Sequence, residues 1–341
     1  MPNHLVKMTL SAACTLTMTL SLSAFSADYV VPKTSFGQPD LQGIWTNATM
    51  TSFERPKALG NQRALPTEEA EKLEKNNPFE MMKKRDSQKT DPNAPAPKAG
   101  GGGVGGYNAF WMDPGTKIAK VNGEYRTSII IEPKDGQVPY TKEGRKAFVD
   151  GYAVRRSEIG FDGPEVRALG ERCLVGFGST GGPPMLSVLY NNHYQIVQSP
   201  DHVVITVEMN HDARIIRLKD KHRPDSMPQW LGDSVGHWDG NTLVVETKNF
   251  HKGQSVRSAT RHRLYIPPTA TVIERFTRVG PDEILYQFSV EDKDAYTSKW
   301  KGEMPMHRSP EQIFEYACHE GNYSLPGILA GAREEEKQAK K

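Results

Sequence analysis

Four side chains that can exchange protons or hold charge stand together in Glu208-Met209-Asn210-His211-Asp212-Ala213-Arg214. A carboxylate beside an imidazole sets its tautomer and tunes its pKa towards neutrality, as general acid–base chemistry requires. Glu208, His211 and Asp212 are therefore read as proton-handling candidates, with Arg214 as a clamp on a polar substrate. The alternative is local: Asp212 caps a turn and Glu208 pairs with Arg214 on a solvated face. A second cluster, His319-Glu320, follows Cys318. If Cys318 is bridged to Cys173, His319 and Glu320 come near the first cluster and the two meet at one mouth of the fold. Two histidines and a carboxylate also suit a divalent metal. The spacing matches neither a Cys-x-x-Cys pair nor a His-Glu-x-x-His helix, so no metal site is assigned and no cofactor is indicated.

Three further stretches carry polar groups of the right kind. Asp233-Ser234 invites a hydrolase reading, but the chain has no Gly-x-Ser-x-Gly elbow, so Asp233 is taken as a substrate contact and Ser234 as a turn residue. Tyr190-Asn191-Asn192-His193-Tyr194 offers hydrogen-bonding side chains, Tyr190 and Asn192 above all, that can line a ligand site or simply enter a strand. Residues 176–182 are glycine-rich, yet no Gly-Lys-Ser/Thr ends them, which excludes a phosphate loop. The five tryptophans are read as core.

The elements that must position these groups are strands. In His202–Met209, Val203, Ile205, Val207 and Met209 share one face and alternate with polar or smaller residues. Ser199-Pro200-Asp201 separates this run from Tyr194–Gln198, and Ala213–Leu218 is a further short strand. Asp239-Gly240-Asn241, between Gly236–Trp238 and Thr242–Thr247, is the strongest hairpin signal. Val272–Val279 and Ile284–Val290 flank Gly280-Pro281-Asp282, and Ile313–Cys318 has the look of a closing strand. Earlier in the chain, residues 36–45 lead into a first strand and residues 126–131 form another. Two short helices are expected: one starts near Thr67, whose hydroxyl can cap it ahead of Glu68 and Glu69, and one spans Thr141–Asp150. A succession of hairpins with few helices predicts a mainly β fold, an antiparallel barrel, with a sandwich as the alternative. A barrel also removes exposed edges.

The N-terminus reads as an export signal over residues 1–26. His4 and Lys7 precede an uncharged run from Met8 to Leu22, and Ala24-Phe25-Ser26 supplies small residues at the cleavage positions. The run is shorter than the ~20 apolar residues that span a bilayer. Removing it leaves two of the three cysteines, Cys173 and Cys318. In an oxidising compartment an even pair suggests one disulfide, the alternative being two buried thiols. Lys and Arg total 43 against 41 Asp and Glu, scattered along the chain, which argues against a nucleic-acid partner. Beyond the signal the expected organisation is a strand-and-helix segment (27–86), a Pro/Gly-rich loop (87–106), the main β domain (107–332) and a frayed charged tail (333–341).

The residues Phe36-Gly37-Gln38-Pro39-Asp40-Leu41-Gln42-Gly43-Ile44-Trp45, the run from Glu208 to Arg214, and Tyr316-Ala317-Cys318-His319-Glu320-Gly321-Asn322-Tyr323 resemble motifs of a large uncharacterised family of secreted bacterial proteins. The similarity covers nearly the whole mature chain and implies a periplasmic or secreted location, but no activity. His237 stands where the family pattern has Arg, so it is given no role. Gly43-Ile44-Trp45 also resembles the Gly-x-Trp opening strand of lipocalin-like (calycin) barrels, in which the Trp plugs the barrel floor.

Together these readings predict an exported barrel that performs acid–base chemistry (a lyase, isomerase or hydrolase) on a small organic or carbohydrate substrate. Glu208, His211, Asp212 and His319 would be catalytic, and Tyr190, Asn192, Arg214, Asp233 and Glu320 would bind. The alternatives are a non-catalytic binder of a small amphipathic ligand and a cell-envelope interaction protein.

Overall fold

The alternating runs become the staves of one closed ring. A computed structural model describes residues 29–86, 93, 112–156, 161–176, 178–259 and 262–340; the expected signal and nearly all of the expected 87–106 loop lie outside them. Five short strands come first: β1 (Gly43–Thr46), β2 (Ala64–Leu65), β3 (Lys120–Val121), β4 (Glu124–Arg126) and β5 (Ile130–Glu132). Then follow β6 (His193–Gln198), β7 (His202–Val207), β8 (Ala213–Leu218), β9 (Asp233–Asp239) and β10 (Thr242–Lys248). The last five are β11 (Val256–Ala259), β12 (His262–Tyr265), β13 (Thr271–Gly280), β14 (Glu283–Glu291) and β15 (Trp300–Arg308). Four α-helices lie among the described residues: α1 (Thr67–Lys75), α2 (Pro78–Asp86), α3 (Lys142–Arg156) and α4 (Ser324–Ala339).

Nine strands close in the order β1-β6-β7-β8-β9-β10-β13-β14-β15, with β15 returning to β1 through Trp45–Arg308 and Thr46–His307. The ring is therefore a barrel, and it is mixed rather than wholly antiparallel. After β8 the chain runs back over residues 219–232 before starting β9, so these two strands point the same way. Their shared register is confined to Arg217–Val235 and Leu218–Gly236. The Asp239-Gly240-Asn241 signal produces a hairpin, with Asp239 opposite Thr242 and Gly240 at φ 58°, a conformation glycine adopts without strain.

In β13 and β14 every second residue faces the lumen. Of these, Val272, Phe276, Ile284, Tyr286 and Val290 are wholly buried, and Trp300 and Met306 of β15 join them. Each such side chain stabilises the fold by about 1.5–3 kcal/mol. Trp45 is also wholly buried; its Nε1–H donates to the Leu41 carbonyl at 2.9 Å, and the Arg308 guanidinium lies 4.5 Å over its ring. Gly43 is favoured there by its backbone conformation. Its φ is +133°, and a Cβ there would stand 2.6 Å from Arg308 Nη1.

Several expectations change. Thr67 is the first residue of α1, not its cap; Pro66 takes the cap position and no side chain caps the helix. Thr141 does cap α3, accepting from Gly144 N–H at 2.9 Å. Residues 313–318 are not a strand, since β1 already closes the ring beside β15 and leaves them no edge to join. The charged tail is helical to Ala339, with Arg333 donating to the Asp162 and Phe161 carbonyls and pairing with Glu336. No helix among the described residues is long and apolar enough to cross a membrane.

Candidate functional site

The hairpin of β6 and β7 sets Tyr194 opposite Val207. Carried one step further, the same register puts His193 beside Glu208, and the Glu208 N–H donates to the His193 carbonyl at 2.9 Å. Their side chains meet: His193 Nδ1 is 3.0 Å from Glu208 Oε2. The other carboxylate oxygen accepts from the Phe314 N–H at 3.4 Å, and the Asn191 side chain also hydrogen-bonds to Glu208. Burial alone would push the Glu208 carboxyl up, but the His193 bond and charge, Phe314 and Asn191 together hold it below its usual value. The same bond raises His193 above its ordinary pKa, against the opposing effect of burial.

Phe314 belongs to a non-regular segment strapped across this end of the barrel. The strap is fixed by the disulfide Cys173–Cys318, with Cα atoms 5.8 Å apart and a sequence separation of 145. Beside it, Asn322 Nδ2 donates to the Glu171 carbonyl at 2.6 Å. Tyr190 and Tyr316 hydrogen-bond to each other through their side chains; burial raises both phenols, Tyr316 to about 12. Between strap and strand ends lies a cleft of about 740 Å³. Met112, Leu189, Tyr190, Phe314 and Tyr316 give it an apolar wall, and Glu171, Asn191, Glu208 and Glu315 supply polar groups. No Lys, Arg or His is among the described residues that line it. The cleft thus suits an apolar body carrying hydrogen-bond donors or a positive charge.

The cleft gathers Tyr190 and Glu208 from the expected site, with Cys318 in its wall. The rest lie elsewhere. His211, His319 and Glu320 are exposed and do not line it. Asp212 accepts from the Gly176 N–H at 2.6 Å, and burial raises its carboxyl despite that bond and one from Asn210. Asn192 is buried and bonded to Val188 and to the Asp113 carbonyl. Asp233 is buried under Arg217, His222 and the Arg223 N–H; these overcome burial and hold its carboxyl at about 2.

Arg214 neither clamps the cleft nor pairs with Glu208. It alternates inward with Ile216 and Leu218, so its side chain enters the lumen, while Glu208 lies beyond the end of β7. There its Nη2 and Nη1 meet Glu274 Oε2 and Oε1 at 2.5 and 3.1 Å, and Tyr286 OH donates to Glu274 Oε1 at 2.7 Å. His193 is the partner that sequence reading placed only in a general ligand-lining run. Counting outward from the Ser199-Pro200-Asp201 turn is the signal that finds it.

Compared with protein-family models, with curated proteins and with solved structures, the chain matches none.

Proposed function

We propose that this chain is an exported β-barrel protein that binds a small amphipathic molecule, neutral or positively charged, in the cleft beneath the disulfide-fixed strap. The observation that carries this reading is the cleft's composition: about 740 Å³ walled by aromatic and aliphatic side chains, with three glutamates and no basic residue in its described lining. Export rests on the N-terminal pattern and on the resemblance to secreted bacterial proteins, and the disulfide is consistent with an oxidising compartment. A calycin-like barrel is part of the same reading, supported by Gly43 and the wholly buried Trp45 at its opening strand. The lumen itself is filled by side chains, so the ligand sits at the barrel end.

Thermal unfolding with phenethylamine and 2-phenylethanol tests the reading. Both should raise the midpoint with saturation, and Phe314→Ala should abolish the rise. A flat response to amine and alcohol, or a rise that survives Phe314→Ala, rules this binding mode out.

One observation favours a second, catalytic reading. The 3.0 Å contact between His193 and Glu208 is a carboxylate–imidazole pair with Glu208 in the cleft wall. Acid–base turnover of a bound ligand, eliminated by Glu208→Gln without loss of binding, would establish it. Glu208 already uses both oxygens on partners within the protein, which favours binding over catalysis.

A further inference from the structure

The parallel seam leaves a second opening in the barrel wall. Beyond Arg217–Val235 the strands β8 and β9 share no register, and between them lies a recess of about 180 Å³. At ~30 Å³ per water this holds about six waters, the volume of a small organic molecule. Ala213, Arg214 and Ile215 form one side, Leu231 to Ser234 the other, and Arg223 and Trp230 the rim.

The charged groups of the recess are unevenly satisfied. Arg217 is consumed by Asp220 and by both oxygens of Asp233. Asp233 is consumed in turn by Arg217, His222 and the Arg223 N–H, so it has little negative charge left to repel a ligand. Arg223 is about half exposed, and its Nε reaches Asp233 only at 3.7 Å. Arg214 matters most. Its side chain is 1% exposed, and Glu274 occupies the edge formed by Nη1 and Nη2. The other edge is under-satisfied: Nε is buried without a hydrogen-bond partner, and Nη2 makes only a 3.4 Å contact with Ser234 Oγ, itself 2.8 Å from Thr247 Oγ1. A buried guanidinium N–H left unpaired is costly, and two parallel N–H groups on one edge match the two oxygens of a carboxylate.

We propose that this recess binds a small organic carboxylate, held by the under-satisfied Nε–Nη2 edge of Arg214 beneath it and by Arg223, with its body against Trp230. Trp230 is 37% exposed, and its ring packs 3.9 Å from that of His251, which gives the ligand a fixed flat wall. A carboxylate fits better than a dianion, because Glu274 already neutralises one charge on Arg214. The site is separate from the cleft and selects the opposite charge.

Because Arg214 also holds Glu274 inside the barrel, the test uses rim variants. Isothermal titration of the full chain with sodium benzoate, at constant ionic strength, should show saturable 1:1 binding. Arg223→Gln should weaken it by about tenfold or more, the scale of one charge-assisted hydrogen bond, and Trp230→Ala by about tenfold through the lost apolar contact, while Phe314→Ala in the cleft leaves it unchanged. Absence of saturable benzoate binding, wild-type affinity in either rim variant, or binding of inorganic phosphate in place of benzoate would overturn the proposal.

Discussion

The cleft and the recess open on the same barrel but are held by different forces. The cleft is made of non-regular chain, and what keeps it in place is a covalent bridge and a few hydrogen bonds to strand ends. The recess is cut into the wall itself, where two strands part, and its floor is a buried ion pair shared with the lumen. One is acidic and apolar, the other rich in arginine. The contrast shows how a barrel can present two chemistries: loops supply one, and an interruption of strand pairing supplies the other.

Perturbations should separate the two. The largest effect is expected in the lumen. Glu274→Gln removes the carboxylate that neutralises Arg214 and accepts from Tyr286, which leaves a buried charge unpaired. Breaking such a pair costs about 3–5 kcal/mol, read as a lower urea midpoint. A loss below about 1 kcal/mol would mean the recess does not share its floor with the core. Next comes the bridge. Measured losses on removing a native disulfide run about 2–5 kcal/mol. The double variant Cys173→Ser/Cys318→Ser should lose amine binding in the cleft and keep benzoate binding in the recess. Equal damage to both sites would erase the distinction.

The smallest effect is one of pH. His193 is raised, so its contribution to stability is complete below its unfolded value near ~6.5 and fades as pH climbs through the higher folded value. Glu208 is lowered, so its contribution is present above its unfolded value near ~4.3 and fades as pH falls through the folded one. The pair is therefore most stabilising between about pH 4.5 and 6.5. His193→Gln should lose about 1 kcal/mol in that window and less at pH 8.5, measured by urea unfolding. Parallel curves for the variant and the wild type would remove the pair from the account.

The barrel was largely legible because its hairpins announce themselves twice, through alternation and through turn residues. Asp239-Gly240-Asn241 and Gly280-Pro281-Asp282 each sit where the strands reverse. β15 was not legible: Gly302 and Pro305 interrupt its pattern. Gly302 is nonetheless demanded there, since a Cβ would fall 2.3 Å from the Phe288 ring. Ile313–Cys318 has strand composition but no free edge to join. The parallel return of residues 219–232 leaves no local mark, because strand direction is decided by how far the chain travels before pairing again. The candidate cleft was visible only in part. Tyr190 and Glu208 were found by type, whereas Arg214 and Asp233 were pulled to another opening by the inward alternation of β8 and the splay of β9. His211 and His319 lie outside the cleft, since charge-rich motifs mark strand ends without saying which way side chains turn.

β1 has a consequence for how the molecule assembles. It lies between β6 and β15, so it cannot take its place until the middle and the far end of the barrel have been brought together. The β13–β14 and β14–β15 pairs, by contrast, need only local reversals. Loop-closure entropy therefore favours a C-terminal meander as the early nucleus, with the ring completed last and slowly when the first strand slots home.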